Sequence, residues 1–177
     1  MDRDYKIYNS ELICKYQSQM IQDLNQVHRF FCQTFPNSDS TWAYKFYNVF
    51  CATSPSPLWY DLLQELKGYI RDFVGHQKKL WMQSWLNFHM PDQVLQWHNH
   101  EWPIHGYISI RPHKTKTVFE GYEIDNQVGN VYIGPGNRYH RVEVLEDYDT
   151  PRITLGFDLL TDPTQCSNNI GLIPFPK

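Results

Sequence analysis

From residue 80 onward, apolar and polar positions alternate with a period of two. The segments LWMQSWLNFH (80–89), VLQWH (94–98), IHGYISI (104–110), KTVFEGY (116–122), NVYIG (130–134), YHRVEVL (139–145) and PRITLGFDL (151–159) each read as a short strand. Pro, Gly, Asn and Asp clusters separate them. Before residue 80 the spacing is three and four. Ser10 is placed to cap a helix over 10–33, with Leu12, Ile13, Tyr16, Met20, Leu24, Val27 and Phe31 on one face. PNSDS at 36–40 breaks that pattern, and the aromatic WAYKFYNVF at 42–50 reads as a strand. A second helix opens with Ser56 as cap and Pro57 at its first position. Its stripe is Leu58, Leu62, Leu66, Tyr69, Ile70 and Phe73, and GHQKK at 75–79 ends it. Two helices followed by seven or eight short strands predict an α+β fold: a sandwich or barrel with helices on one sheet. Residues 161–177 read as coil around it.

Composition narrows this picture without changing it. A chain of 177 residues, 41% hydrophobic, is expected to form a single domain with a real core: 1–79 mainly helical, 80–160 the barrel. Net charge is −3 and no basic block occurs, so nothing points to a nucleic-acid backbone. Cys14, Cys32, Cys51 and Cys166 form no CxxC pair and read as reduced thiols. No apolar run reaches membrane length, and the first residues hold no apolar leader, so a cytoplasmic protein is expected.

Candidate chemistry concentrates in QWHNHEWPIHGY (96–107). Imidazole is the commonest metal ligand. If the strand runs through them, His98 and His100 point to one side. His140 follows the turn GPGN at 134–137. Alternation also puts His105, Tyr107, Ser109 and Arg111 on one face, as it does Gln83, Trp85 and Asn87, and Arg152 and Thr154. A barrel holds such polar rows only if something satisfies them. Arg152 in a low-dielectric interior needs an anion. Asp158 shares its face but lies six residues, roughly 20 Å, along the strand. Glu143 alternates to the outside.

The pattern His98-Asn99-His100, then His140, then Arg152-Ile153-Thr154 resembles the Fe(II)- and 2-oxoglutarate-dependent oxygenases. The tract WLNFHMPDQVLQWHNHEWPIHGYISI is similar to small phage and bacterial members of that family. The resemblance covers roughly residues 42 to 160 and implies a double-stranded β-helix, a jelly-roll or cupin-like barrel, supported by the two N-terminal helices. It also implies Fe(II) held by His98, His100 and His140. The cosubstrate 2-oxoglutarate would chelate iron at its keto-acid end, and Arg152 and Thr154 would hold its far carboxylate, with Tyr107, Asn87 and Gln83 in the pocket wall. Dioxygen is the other reactant, and hydroxylation of an unidentified prime substrate is the expected outcome. One departure stands out: the family's carboxylate ligand belongs at position 100, where this chain has histidine. Either the site is all-histidine, or Glu101 swings in to complete two histidines and one carboxylate. His105 is then a supporting residue, and Trp97 and Trp102 flank the mouth. The His-x-His and the segment Gly129 to His140 also resemble the two motifs of cupins, which leaves open a metal enzyme that does not use 2-oxoglutarate. A non-catalytic ligand-binding barrel is the third alternative.

Overall fold

The computed structural model describes residues 3–34, 47–75, 78–165 and 171–175. Strand β1 (Lys6–Asn9) precedes helix α1 (Glu11–Thr34). Ser10 caps α1 as expected: its Oγ accepts from the Ile13 amide at 3.2 Å and donates to Glu65 at 2.6 Å. A short helix α2 (Val49–Ala52) leads to α3 (Pro57–Val74), which stops at Gly75 with φ of 82°. Eight strands follow: β2 (Leu80–His89), β3 (Ile104–Arg111), β4 (Thr115–Phe119), β5 (Tyr122–Asp125), β6 (Asn130–Pro135), β7 (His140–Val144), β8 (Arg152–Leu160) and β9 (Ile173–Phe175). They make two antiparallel sheets, one ordered β1-β6-β3-β8-β2-β9 and the other β5-β4-β7. No helix among the described residues is long and apolar enough to cross a membrane.

Alternation decides what each sheet face meets. Met82 and Leu86 of β2, Ile108 and Ile110 of β3, and Ile153, Leu155, Phe157 and Leu159 of β8 form one apolar face. Ile13, Met20 and Leu24 of α1 and Trp59, Leu62, Leu66 and Ile70 of α3 pack in the same core. Gly106 is needed here, because a Cβ would lie 2.1 Å from the Phe157 ring. The opposite face carries the polar rows, placed side by side by the register: Gln83, Asp158 and His105; Trp85, Gly156 and Tyr107; Asn87, Thr154 and Ser109. The smaller sheet covers part of that face through Phe119 and Ile124, which cluster with Tyr107 and Tyr132. The arrangement is α+β: helices on one side of the large sheet, a cavity between the two sheets on the other.

Four expectations about elements change. WAYKFYNVF is not a strand where it is described. Asn48 accepts from the Phe50 amide at 3.1 Å and starts α2 instead, while 42–46 lie outside the described residues. VLQWH forms no ladder, only a single bridge from His98 to His140. KTVFEGY is a hairpin, β4 and β5, turning at Gly121 with φ of 96°. The tail is not all coil, since β9 pairs with β2. The N-terminal part also contributes β1, which pairs with β6.

Candidate metal centre and carboxylate pocket

His98 and His140 are joined by their own backbones. The His98 amide donates to the His140 carbonyl at 3.0 Å, and the return bond is 2.9 Å. The turn after β6 clasps the same segment. Gly136 accepts from the His100 amide at 2.8 Å, and a Cβ at 136 would lie 1.9 Å from the Trp102 carbonyl oxygen. Only glycine fits such a close backbone approach.

Second bonds orient the imidazoles. His98 Nδ1 donates to the Gln96 carbonyl at 2.7 Å and His140 Nδ1 to the Arg138 carbonyl at 3.1 Å. A carbonyl only accepts, so each proton sits on Nδ1 and each lone pair on Nε2. His100 Nδ1 lies 3.2 Å from one oxygen of Asp158, and His105 Nδ1 lies 2.9 Å from the other. One ring nitrogen from each of His98, His100 and His140 lies within 4.8 Å of the others. Burial pushes the His98, His105 and His140 pKa values down, His105 to about 4, and the neighbouring histidines add to the shift. These rings are neutral at neutral pH, the form that ligates metal. Burial opposes ionisation of Asp158, but the bonds from His100 and His105 prevail and hold its carboxyl below the ordinary range. Three imidazole nitrogen donors fit a first-row divalent ion; the set alone does not choose among iron, zinc, copper and nickel.

Arg152 opens β8 and is 3% exposed. Its Nε and Nη1 reach the hydroxyls of Thr115 and Thr154, each at 3.4 Å. Thr154 also accepts from the Asn87 amide at 3.2 Å. Among the described residues no carboxylate pairs with this guanidinium. Asp158 is taken by the histidines, and Glu143 pairs on the outside with Lys116 at 3.1 Å and with Arg141. The Ser109 hydroxyl is buried without a hydrogen-bond partner, and the buried Tyr107 hydroxyl has Thr117 beside it.

One cavity of about 380 Å³ takes in His98, His100, His140, Tyr107, Asn87, Arg152 and Thr154, so the structure brings all seven expected site residues together. His105, Trp85 and Leu95 also line it. Two expectations fail, those for Glu101 and Gln83. Glu101 is exposed at a bend of the chain and lines a separate surface pocket with Trp102 and Thr161. Gln83 is buried beside Asp158 but is absent from the cavity wall. Trp97 is 45% exposed, with Arg141 5.1 Å from its ring. The residue that sequence reasoning missed is Asp158, whose partners lie across strands. The available signal was its place on the polar face of β8.

No protein-family model matches the chain, and no curated protein matches it. Solved structures do. A non-heme alpha-ketoglutarate-dependent epimerase, SnoN, from nogalamycin biosynthesis aligns over 93% of this chain and 83% of its own, at 10% identity and a TM-score of 0.53. A non-heme monooxygenase, ThoJ, in a nickel complex aligns over 67% of this chain at 13% identity and a TM-score of 0.50; the chain spans 61% of the monooxygenase's length. A cupin-2 domain protein from Shewanella frigidimarina aligns over 48% of this chain and 74% of its own, at 17% identity and a TM-score of 0.33. The likeness to the first two, with the two antiparallel sheets, shows the fold: a double-stranded β-helix with helices on one sheet.

Proposed function

We propose that this chain is a metal-dependent oxygenase that uses Fe(II) and 2-oxoglutarate to hydroxylate a prime substrate. One observation carries the reading: three histidine edges and a buried guanidinium that has no acidic partner among the described residues line the same cavity. An uncompensated buried charge is strongly unfavourable, so the protein is built to receive an anion there. The bond network of Arg152, Thr154 and Asn87, with the Tyr107 hydroxyl beside it, suits a carboxylate. From Thr154 to Asp158 is four residues, about 13 Å along β8, and side chains leaning in from both ends leave a span suited to a short dicarboxylate. Fe(II) with 2-oxoglutarate would supply the oxidising chemistry, consuming dioxygen and releasing succinate and carbon dioxide. His98, His100 and His140 would hold the ion, the Arg152 group would orient the cosubstrate, and the two sheets would exclude water.

A second reading is a cupin-type metal enzyme that does not use 2-oxoglutarate. The observation favouring it is that the His98–His100–His140 group itself holds no carboxylate among the described residues, Asp158 grouping instead with His100 and His105. Anaerobic calorimetry separates the two. With Fe(II) loaded, 2-oxoglutarate is expected to bind, and Arg152→Ala to weaken it by roughly 2–5 kcal/mol, the usual loss when one side of a buried charge pair is truncated. Arg152→Lys should restore part of this, because a point charge cannot form the planar fork. Equal binding to Arg152→Ala, or no binding to the wild type, transfers the conclusion to the cupin reading. Failure to take up any metal leaves a ligand-binding barrel.

A further inference from the structure

We infer that Asp158 is a positioning residue: it fixes the ring of His100 so that Nε2, not Nδ1, faces the metal, and His105 is its second anchor. The inference rests on reading His98, His100 and His140 as the metal set. Asp158 sits two residues before the end of β8, fully buried, between Gln83 of β2 and His105 of β3. Each of its oxygens takes one imidazole: Oδ1 accepts from His105 Nδ1 at 2.9 Å, Oδ2 from His100 Nδ1 at 3.2 Å. The two rings stack with centroids 3.7 Å apart and planes 10° apart. An ionised carboxylate only accepts, so both imidazoles must carry their proton on Nδ1. Both Nε2 lone pairs then project the same way, off the far edges of the rings. His100, not His105, belongs to the group with His98 and His140, and His100 also groups with His105 and Asp158. No lysine or arginine pairs with Asp158 among the described residues; its ionic partners are the two histidines. A buried carboxylate held by two imidazole N–H groups, with no lysine or arginine beside it among the described residues, is poorly compensated. A cation on the far edge of His100 would complete the balance, as in carboxylate–histidine–metal relays.

The isosteric Asp158→Asn tests this. Its amide has one accepting oxygen and one donating NH₂, so one of the two imidazoles must accept at Nδ1 and move its proton to Nε2. Nitrogen-15 NMR of the metal-free protein should show His100 and His105 both protonated on Nδ1 in the wild type, and His100 shifted toward the Nε2 form in D158N. Titration with Co(II), read by its d–d absorption, should show affinity reduced by about 10–100-fold, with the metal-free melting curve little changed. His105→Gln keeps a donor to Asp158 and should lose less, which also covers the case where D158N does not fold. Unchanged Co(II) affinity in D158N overturns the inference. So does a wild-type His100 protonated on Nε2, or a wild type that takes two ions per chain, which would make Asp158 itself a ligand. If the wild type binds no ion, the metal reading falls, while the tautomer shift in D158N still decides whether Asp158 orients His100.

Discussion

His98 and His140 each spend Nδ1 on a backbone carbonyl and keep Nε2 for the cavity. If these atoms hold an ion, His98→Ala and His140→Ala should each abolish metal uptake by elemental analysis. Glu101→Gln, at an exposed position outside the cluster, should leave it unchanged. The same histidines set an acid limit on stability. Burial holds the folded pKa values of His98, His140, His105 and the nearby His89 of β2 below the ordinary value of 6.5, those of His89 and His105 at about 4. Between those values the unfolded chain binds protons that the folded chain refuses, so stability rises with pH across the window. The metal-free protein should hold its full melting temperature above pH ~6.5 and lose it as the pH falls toward ~4. His105→Gln should flatten that loss; a melting temperature independent of pH in this range would contradict the burial of neutral rings. At this scale the sequence was legible where two residues share a strand, as Arg152 and Thr154 do, and where two lie close along one short segment, as His98 and His100 do. It was not legible where the partner lies across strands. Asp158 was weighed only against Arg152, six positions along, whereas its true neighbours are His105 by strand register and His100 from a loop.

Period-two alternation located β2, β3, β6, β7 and β8 to within a residue or so, because each buries one face on the helices or between the sheets. It overlooked β1 and β9, which hold only four and three residues, too few for a period to show. It overread VLQWH, whose composition suits a strand but whose backbone finds only one bridge. Packing between elements also depends on absences that a hydropathy pattern does not mark. Gly156 of β8 lies under Trp85 of β2, and a Cβ there would be 2.4 Å from the indole ring. Gly156→Ala should destabilise the protein by about 1–3 kcal/mol, the usual penalty for overpacking. Because Trp85 lines the cavity, it should also shift the tryptophan emission. Urea unfolding followed by fluorescence reads both; unchanged stability would mean that the indole moves aside freely.

The helices and the cavity lie on opposite faces of the large sheet, so the molecule separates its support from its chemistry. Leu66 of α3 is buried in the helix–sheet core. Leu66→Ala should cost about 2–5 kcal/mol of stability while leaving Co(II) affinity unaltered well below the melting temperature, since distant sites act additively. A parallel loss of affinity would show that the helices hold the cavity in shape. The division was visible in the sequence as a change of period at residue 80, but the closing of the barrel was not, because it depends on which strand meets which. The least regular part of the barrel is also the part that joins its two sides at the cavity: two reciprocal amide bonds between His98 and His140 tie a loop to the end of β7. An ion gripped by both rings would clamp the same junction a second time. Its departure would then have to wait for the loop to unlatch, so residence time would be set by a backbone fluctuation rather than by the strength of the metal–nitrogen bonds. The amide hydrogens of His98 and His140 would report that fluctuation directly, exchanging together in the empty protein and falling silent together once it is filled.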